Sequence, residues 1–431
     1  MQRRNAGKVL VVYTLEPWDH ALTYLRYRAP AEMLGWKVLN GRTGEVVHFD
    51  LIRESDLVLI QRVFPHWRAA YQRVVEEARS LRKPVIYEID DLLIALPSDH
   101  PCVDWYRPAL EDILIGSMQA DRVVVSSKSL RQIFSIFNQD TQLWPAYLPD
   151  NMWRLREIKP SNGKSLRIGY MGGITHVPDL DSIVPVLNRL VEEWNDRIEL
   201  HFWGCKPSGQ LKGNVFVHYI EEKIDYREFI ATFSEAQADI WIAPLQDSIF
   251  NRCKSSIKYW EYAAVGGAGV FSNLEPYREI VESEQNGFLA ADRQDWYAIL
   301  TRLITDSALR SSIARNAGKT LERYGRMSLH LKEWEEIYTT ARSKADLIHP
   351  RSPIQEAFLR FAEQLRERSE EKEGVIRRLG GELESQKQHI QQLELRSRYL
   401  DAVLNSRSWR LIQSVGKIRR LLFGWPEVSR D

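Results

Sequence analysis

Cysteine is scarce in this chain. There are three among 431 residues, Cys102, Cys205 and Cys253, scattered and without the paired spacing of a metal ligand set. That excludes a disulfide framework and a zinc module, and it fits a reducing compartment. Charge of one sign is lacking too. Lys and Arg total 59 against 58 Asp and Glu, a net +1, so no global field marks the chain for nucleic acid or an anionic membrane. No apolar run approaches the ~20 residues that a spanning helix needs. The opening Met1-Gln-Arg-Arg-Asn-Ala-Gly-Lys8 runs straight into a strand pattern without a secretory leader. The expectation is a cytoplasmic protein large enough for two domains and an appendage.

What is present is an alternation of buried-strand and helix patterns, repeated in two halves. In the first half, apolar runs at 8–13, 56–60, 84–89 and 122–125 read as strands, with helices over 67–81 and 104–118 between them. In the second half, strands are expected at 166–171, 198–203, 215–217 and 240–243. Helices are expected at 181–194, 226–236, 295–305 and 309–324. Such alternation implies parallel sheets covered on both faces, here two doubly wound domains facing across a cleft. The expected units are 1–155, 156–330, a crossover helix and linker over 331–350, a helical segment over 351–404 and a tail over 405–431.

The segment Asn251-Arg-Cys-Lys-Ser-Ser-Ile-Lys-Tyr-Trp-Glu-Tyr-Ala-Ala-Val-Gly-Gly267 carries the most chemistry. A serine, Ser255 or Ser256, is placed to cap a helix that ends at Gly266-Gly267, with a short strand at 268–271. Lys254, Lys258 and Glu261 are spaced to share one polar face, opposite Ile257, Trp260 and Ala264. Cations at a helix N-terminus favour a phosphate, and a carboxylate one turn on suits a ribose. Spacing alone fits an ordinary salt-bridging helix equally well. The segment resembles the donor-binding signature of family 4-like retaining glycosyltransferases of the GT-B fold. The match continues through Pro276-Tyr-Arg-Glu-Ile-Val281 and Asn286-Gly-Phe-Leu289.

The resemblance implies a nucleotide-sugar donor, a glycan or lipid-linked glycan acceptor, and neither cofactor nor metal. It implies that Gly172, Gly173, Thr175 and His176, in the loop after the strand at 166–171, meet the donor diphosphate or the acceptor. Lys254 and Lys258 would neutralise the diphosphate and Glu261 would bind ribose. The base is expected near Tyr219-Ile220. The family's first glutamate falls at Cys253, which leaves Asp247 as the nearest acid for the donor sugar. Its usual cation pair is also missing from the 172–179 loop. In the first half, Asp90 and Asp91 end a strand and face the cleft, where either suits an acceptor hydroxyl. The alternatives are a degenerate nucleotide-binding scaffold and another GT-B enzyme such as an epimerase.

From Phe358 to Leu404 a seam spaced four and three, including Leu365, Ile376, Leu379, Leu383, Ile390, Leu393 and Leu400, reads as a coiled coil and implies a homo-oligomer. Ser369, Lys372, Gln386 and Ser397 interrupt it. Beyond it, 405–424 is basic and amphipathic around Trp409, suited to a membrane interface or to a partner. A similar Ser-x-Ser-Trp-Arg ending follows a coil in bacterial surface-polysaccharide glycosyltransferases.

Overall fold

The computed structural model describes residues 8–156, 165–218, 225–343 and 353–404. Contacts divide the chain into a main body, ending at Gln355, and a C-terminal unit. The main body holds two six-stranded sheets. In the first, β1 (Val9–Tyr13), β2 (Lys37–Asn40), β3 (Leu57–Gln61), β4 (Val85–Ile89), β5 (Arg122–Val125) and β6 (Thr141–Leu143) lie in the order β2-β1-β3-β4-β5-β6. In the second, β7 (Leu166–Gly172), β8 (Ile198–Gly204), β9 (Val215–His218), β10 (Ile240–Ala243), β11 (Ala268–Ser272) and β12 (Phe288–Ala290) lie in the order β9-β8-β7-β10-β11-β12. Every ladder in both sheets is parallel.

The strands are apolar on both sides because both faces are covered. Val11, Val58, Tyr87 and Val123 enter one core of the first domain, and Leu10, Leu59, Ile86 and Val124 enter another. Successive strand residues point to opposite faces, so a continuous apolar run is what a doubly covered sheet requires. The edge strands β2, β6 and β12 escape a sequence reading: β2 and β6 are only partly buried, and β12 is three residues long.

Two expected helices are broken. The stretch 104–118 is a short helix at Val103–Tyr106, a tight turn at Arg107–Ala109 and a helix at Leu110–Gln119. Pro108 lacks the N–H that an unbroken helix needs. The stretch 309–324 is regular over Ser307–Thr320 and then widens into a π-turn at Leu321–Gly325.

After the second sheet the chain returns to the first. The helix Leu331–Thr339 lays Trp334, Ile337 and Tyr338 into the core formed by Leu10, Tyr27, Trp36 and Trp144. Trp334 is fully buried, stands edge-on to Trp36 at 5.1 Å and donates from Nε1 to the Arg26 carbonyl at 3.3 Å.

The C-terminal unit contains one helix, Pro353–Leu404. Within it Ile376, Leu379, Leu383, Ile390 and Leu393 are exposed. The tail over 405–431 and the Tyr219-Ile220 base site lie outside the described residues. No helix among the described residues is long and apolar enough to cross a membrane.

Because Trp334 packs between elements far apart in sequence, Trp334→Ala leaves a cavity that local rearrangement does not fill. It is expected to destabilise the first domain by about 3–5 kcal/mol, seen as a lower denaturant midpoint. An unchanged midpoint would show that the returning helix does not hold the first domain.

Candidate functional site

The second sheet reverses its winding between β7 and β10, and crevices at such a switch point bind ligands. Gly172 ends β7 there. A Cβ on Gly172 would lie 2.3 Å from Tyr170 Oη and 2.9 Å from Lys258 Nζ, so glycine leaves room for the tyrosine and lysine at the strand end. A Cβ on Gly173 would meet nothing, which leaves its backbone open to an approaching ligand. Thr175 follows, half-buried, in a single tight turn at Ile174–His176.

Lys258 sits on the helix Ile257–Val265, 3.3 Å from Tyr170 Oη. Burial and the nearby Lys254 push its ammonium down to about 8. Glu261, one turn on, is 5% exposed and has no hydrogen-bond partner among the described residues. Burial pushes its carboxyl up to about 8, against the pull of Lys258. The shared polar face expected for Lys254, Lys258 and Glu261 is corrected: the helix starts only at Ile257, so Lys254 precedes it. Ser256 stands at its N-cap without a side-chain cap bond. The helix is also buried from Tyr259 to Val265, so its lysine and glutamate are set in packed protein and not on a solvated stripe. Gly267, at φ 120°, ends the turn where a Cβ would meet the Ala238 carbonyl at 2.7 Å.

His176 is fixed by Asp179, with Nδ1 2.9 Å from Oδ2. The other Asp179 oxygen accepts from the Gln246 backbone N–H and from Asn251 Nδ2, both at 2.8 Å. Burial, Lys258 and Lys254 push the imidazole down to about 3, so it is neutral. With Nδ1–H given to the carboxylate, Nε2 is left as an acceptor.

The first sheet has its own switch point between β1 and β3. Arg62 stands there with φ 49°, a conformation uncommon outside glycine. Its guanidinium lies 2.6 Å from Asp90, 3.1 Å from Glu16 and 3.9 Å from Asp91, and donates to Tyr106 Oη at 2.8 Å. Burial pushes the Asp90 carboxyl up to about 7 while Arg62 pulls it down. The 2.6 Å charge-assisted contact marks Asp90 as an anchored carboxylate. For Asp91, burial is outweighed by Lys254, Arg62, His176 and His100, which hold it below the usual carboxylate range.

The two sides meet. Lys254 Nζ lies 3.8 Å from Asp91 and 4.4 Å above the Phe250 ring. Phe250 and Cys253, from the second domain, pack into the core of the first. Ser127 Oγ donates to the Cys253 carbonyl at 2.7 Å. Asp247 is exposed, and both its oxygens bind Arg252, at 2.7 and 2.8 Å. Sequence reasoning missed Arg62, Asp179 and Phe250. The Asp179 signal was present in the Gly-x-x-x-His-x-x-Asp spacing; a lone arginine after a strand and a lone phenylalanine carry none. Among the described residues no three His, Cys, Asp or Glu side chains are placed to hold a metal ion.

No family profile matches the chain, and no curated protein matches it by sequence. Solved structures do. A glycosyltransferase from Rickettsia africae superposes with a TM-score of 0.54 at 13% identity, covering 80% of this chain and 100% of that one. Sucrose-phosphate synthase from Thermosynechococcus elongatus gives 0.53 at 11% identity, covering 77% and 98%. Anabaena HepE in complex with UDP-glucose gives 0.51 at 15% identity, covering 76% and 98%. The fold is thus that of two-domain GT-B glycosyltransferases.

The buried Glu261 has a measurable signature. Its carboxyl is raised in the folded state, so it contributes stability at low pH that is lost as pH rises toward about 8. Glu261→Gln is expected to raise the unfolding midpoint at about pH 8.5 and to change it little at about pH 5. An equal effect at both pH values would show that the carboxyl is not raised.

Proposed function

We propose that the protein is a nucleotide-sugar-dependent glycosyltransferase of the hexosyltransferase type. It moves a sugar, with retention, to a glycan or lipid-linked glycan acceptor in bacterial surface-polysaccharide synthesis, at the cytoplasmic side of the membrane. The observation that carries this reading is the 3.8 Å approach of Lys254 and Asp91 across the cleft, beside Lys258 and His176.

Lys258, Lys254 and the Gly172–Gly173 backbone would take the diphosphate. Glu261, lacking any partner among the described residues, would take the ribose hydroxyls. The leaving diphosphate needs positive charge in a water-poor site, and both lysines lie in it. Donor binding gives Lys254 a phosphate in place of Asp91. That releases an ionised carboxylate to orient the acceptor hydroxyl, so donor binding prepares the acceptor side. His176 Nε2 would accept from a hydroxyl of either sugar. Asp247, tied to Arg252, would reach the donor sugar only by exchanging that partner.

Lys258→Ala is expected to weaken nucleoside diphosphate binding by ~1.5–3 kcal/mol, the range of a hydrogen bond to a charged group. Asp91→Asn is expected to abolish transfer while calorimetric donor affinity is kept or rises, since Lys254 then has no carboxylate to give up. Unaltered affinity in the first variant together with wild-type transfer in the second would overturn the assignment.

The exposed seam of the Pro353–Leu404 helix supports self-association, since isolated apolar positions in heptad register are covered when two or more copies pair. The basic 405–424 segment would then be offered to a membrane in several copies, each weak alone. Light scattering is expected to give an oligomer for the full chain and a monomer for a chain ending at Pro350. A monomeric full chain at tens of micromolar would refute the pairing.

A further inference from the structure

Beside the site just described lies a second space, a cavity of about 780 Å³ between the two domains. Ser129 and Tyr147 line it from the first domain, and Lys254, Ser256, Glu282 and Lys319 from the second. Gly172 and Tyr170 do not line it. Lys254 is common to both spaces, since its ammonium also approaches Asp91.

The lining identifies a class of ligand. Its lining carries charges of both signs in near balance, five Lys and Arg against four Glu, and Lys128 pairs with Glu279 at 3.1 Å and Arg252 with Glu275 at 3.3 Å. One net charge gives little field to select a polyanion. Ser256 is 8% exposed, faces the cavity, and its hydroxyl makes no hydrogen bond among the described residues. Glu282 and Lys319 have no ion-pair partner among the described residues. With the Ser256 hydroxyl, and with Glu282 and Lys319 exposed, the cavity offers both donors and acceptors, which match sugar hydroxyls. The Tyr147 ring stacks on His330 at 3.7 Å and 6°, a flat aromatic wall of the kind that packs against the C–H face of a pyranose. The volume falls in the range of pockets that hold ligands larger than a single sugar ring.

We propose that this cavity binds the sugars of an oligosaccharide acceptor that precede the unit being glycosylated, so that the protein selects acceptors several sugars long. The inference rests on the transferase reading and extends it: with the terminal hydroxyl beside Asp91, the rest of the chain passes Lys254 into the cavity.

Gln285→Trp and Lys319→Trp fill the rim from exposed positions and touch none of the residues assigned to the donor. With wild-type protein, kcat/KM is expected to be at least about tenfold higher for tetrasaccharide than for monosaccharide acceptors bearing the same terminal sugar. The filled variants should lose that preference while keeping monosaccharide transfer and nucleoside diphosphate affinity. No preference in the wild type, or a preference that survives filling, overturns the proposal. Binding of the full chain to immobilised neutral tetrasaccharides and matching monosaccharides, without donor, separates this inference from the transferase reading. Tetrasaccharide binding lost on filling supports the cavity even where no transfer is seen. Absent binding, or binding equal in the filled variants, removes it.

Discussion

Lys254 belongs to the second domain, yet its only ion-pair partner among the described residues, Asp91, belongs to the first. Charges removed from water must be compensated nearby or they destabilise the fold, and here the compensation is divided between two domains. Neither half of the cleft is electrostatically complete alone. Arg62 makes the same point within the first domain, where Glu16 and Asp90 surround one buried guanidinium and Asp91 lies just beyond. The protein thus holds a chain of alternating charges from Glu16 through Arg62 and Asp91 to Lys254. An anion inserted at any link redistributes the partners on either side of it.

Topology decides where that chain runs. Both sheets wind outward from an interior strand, and each leaves a crevice where the direction reverses. Glu16 and Arg62 follow the strands that flank the reversal in the first sheet, and Gly172 ends one of those in the second. The residues that carry chemistry are therefore few turns of chain from a strand end. The helices mainly supply burial, which shifts the proton affinities of Lys258, Glu261 and His176 away from their ordinary values.

Much of the fold was legible because a doubly covered parallel strand writes itself as an unbroken apolar run. Arg122–Val125 and Ile240–Ala243 were read to the residue for that reason. The edge strands β2 and β6 were not, because pairing on one side and partial exposure allow polar residues such as Lys37 and Gln142. At the site, Lys258, Glu261, Asp90 and Asp91 could be singled out from motif and position. Arg62 could not: its importance lies in a backbone conformation and three carboxylates that are distant in sequence. The tautomer of His176 was equally hidden, since it follows from Gln246 and Asn251 occupying one oxygen of Asp179.

Phe250 is a residue of the second domain buried in the hydrophobic interior of the first, 4% exposed. Parting the domains at that point means withdrawing an aromatic ring into water, at a cost of about 1.5–3 kcal/mol. At equilibrium that alone leaves roughly one parted molecule for every ten to 150 joined ones. The ring thus acts as a detent. It keeps the parted state rare and leaves the joined one as the form the two halves rest in.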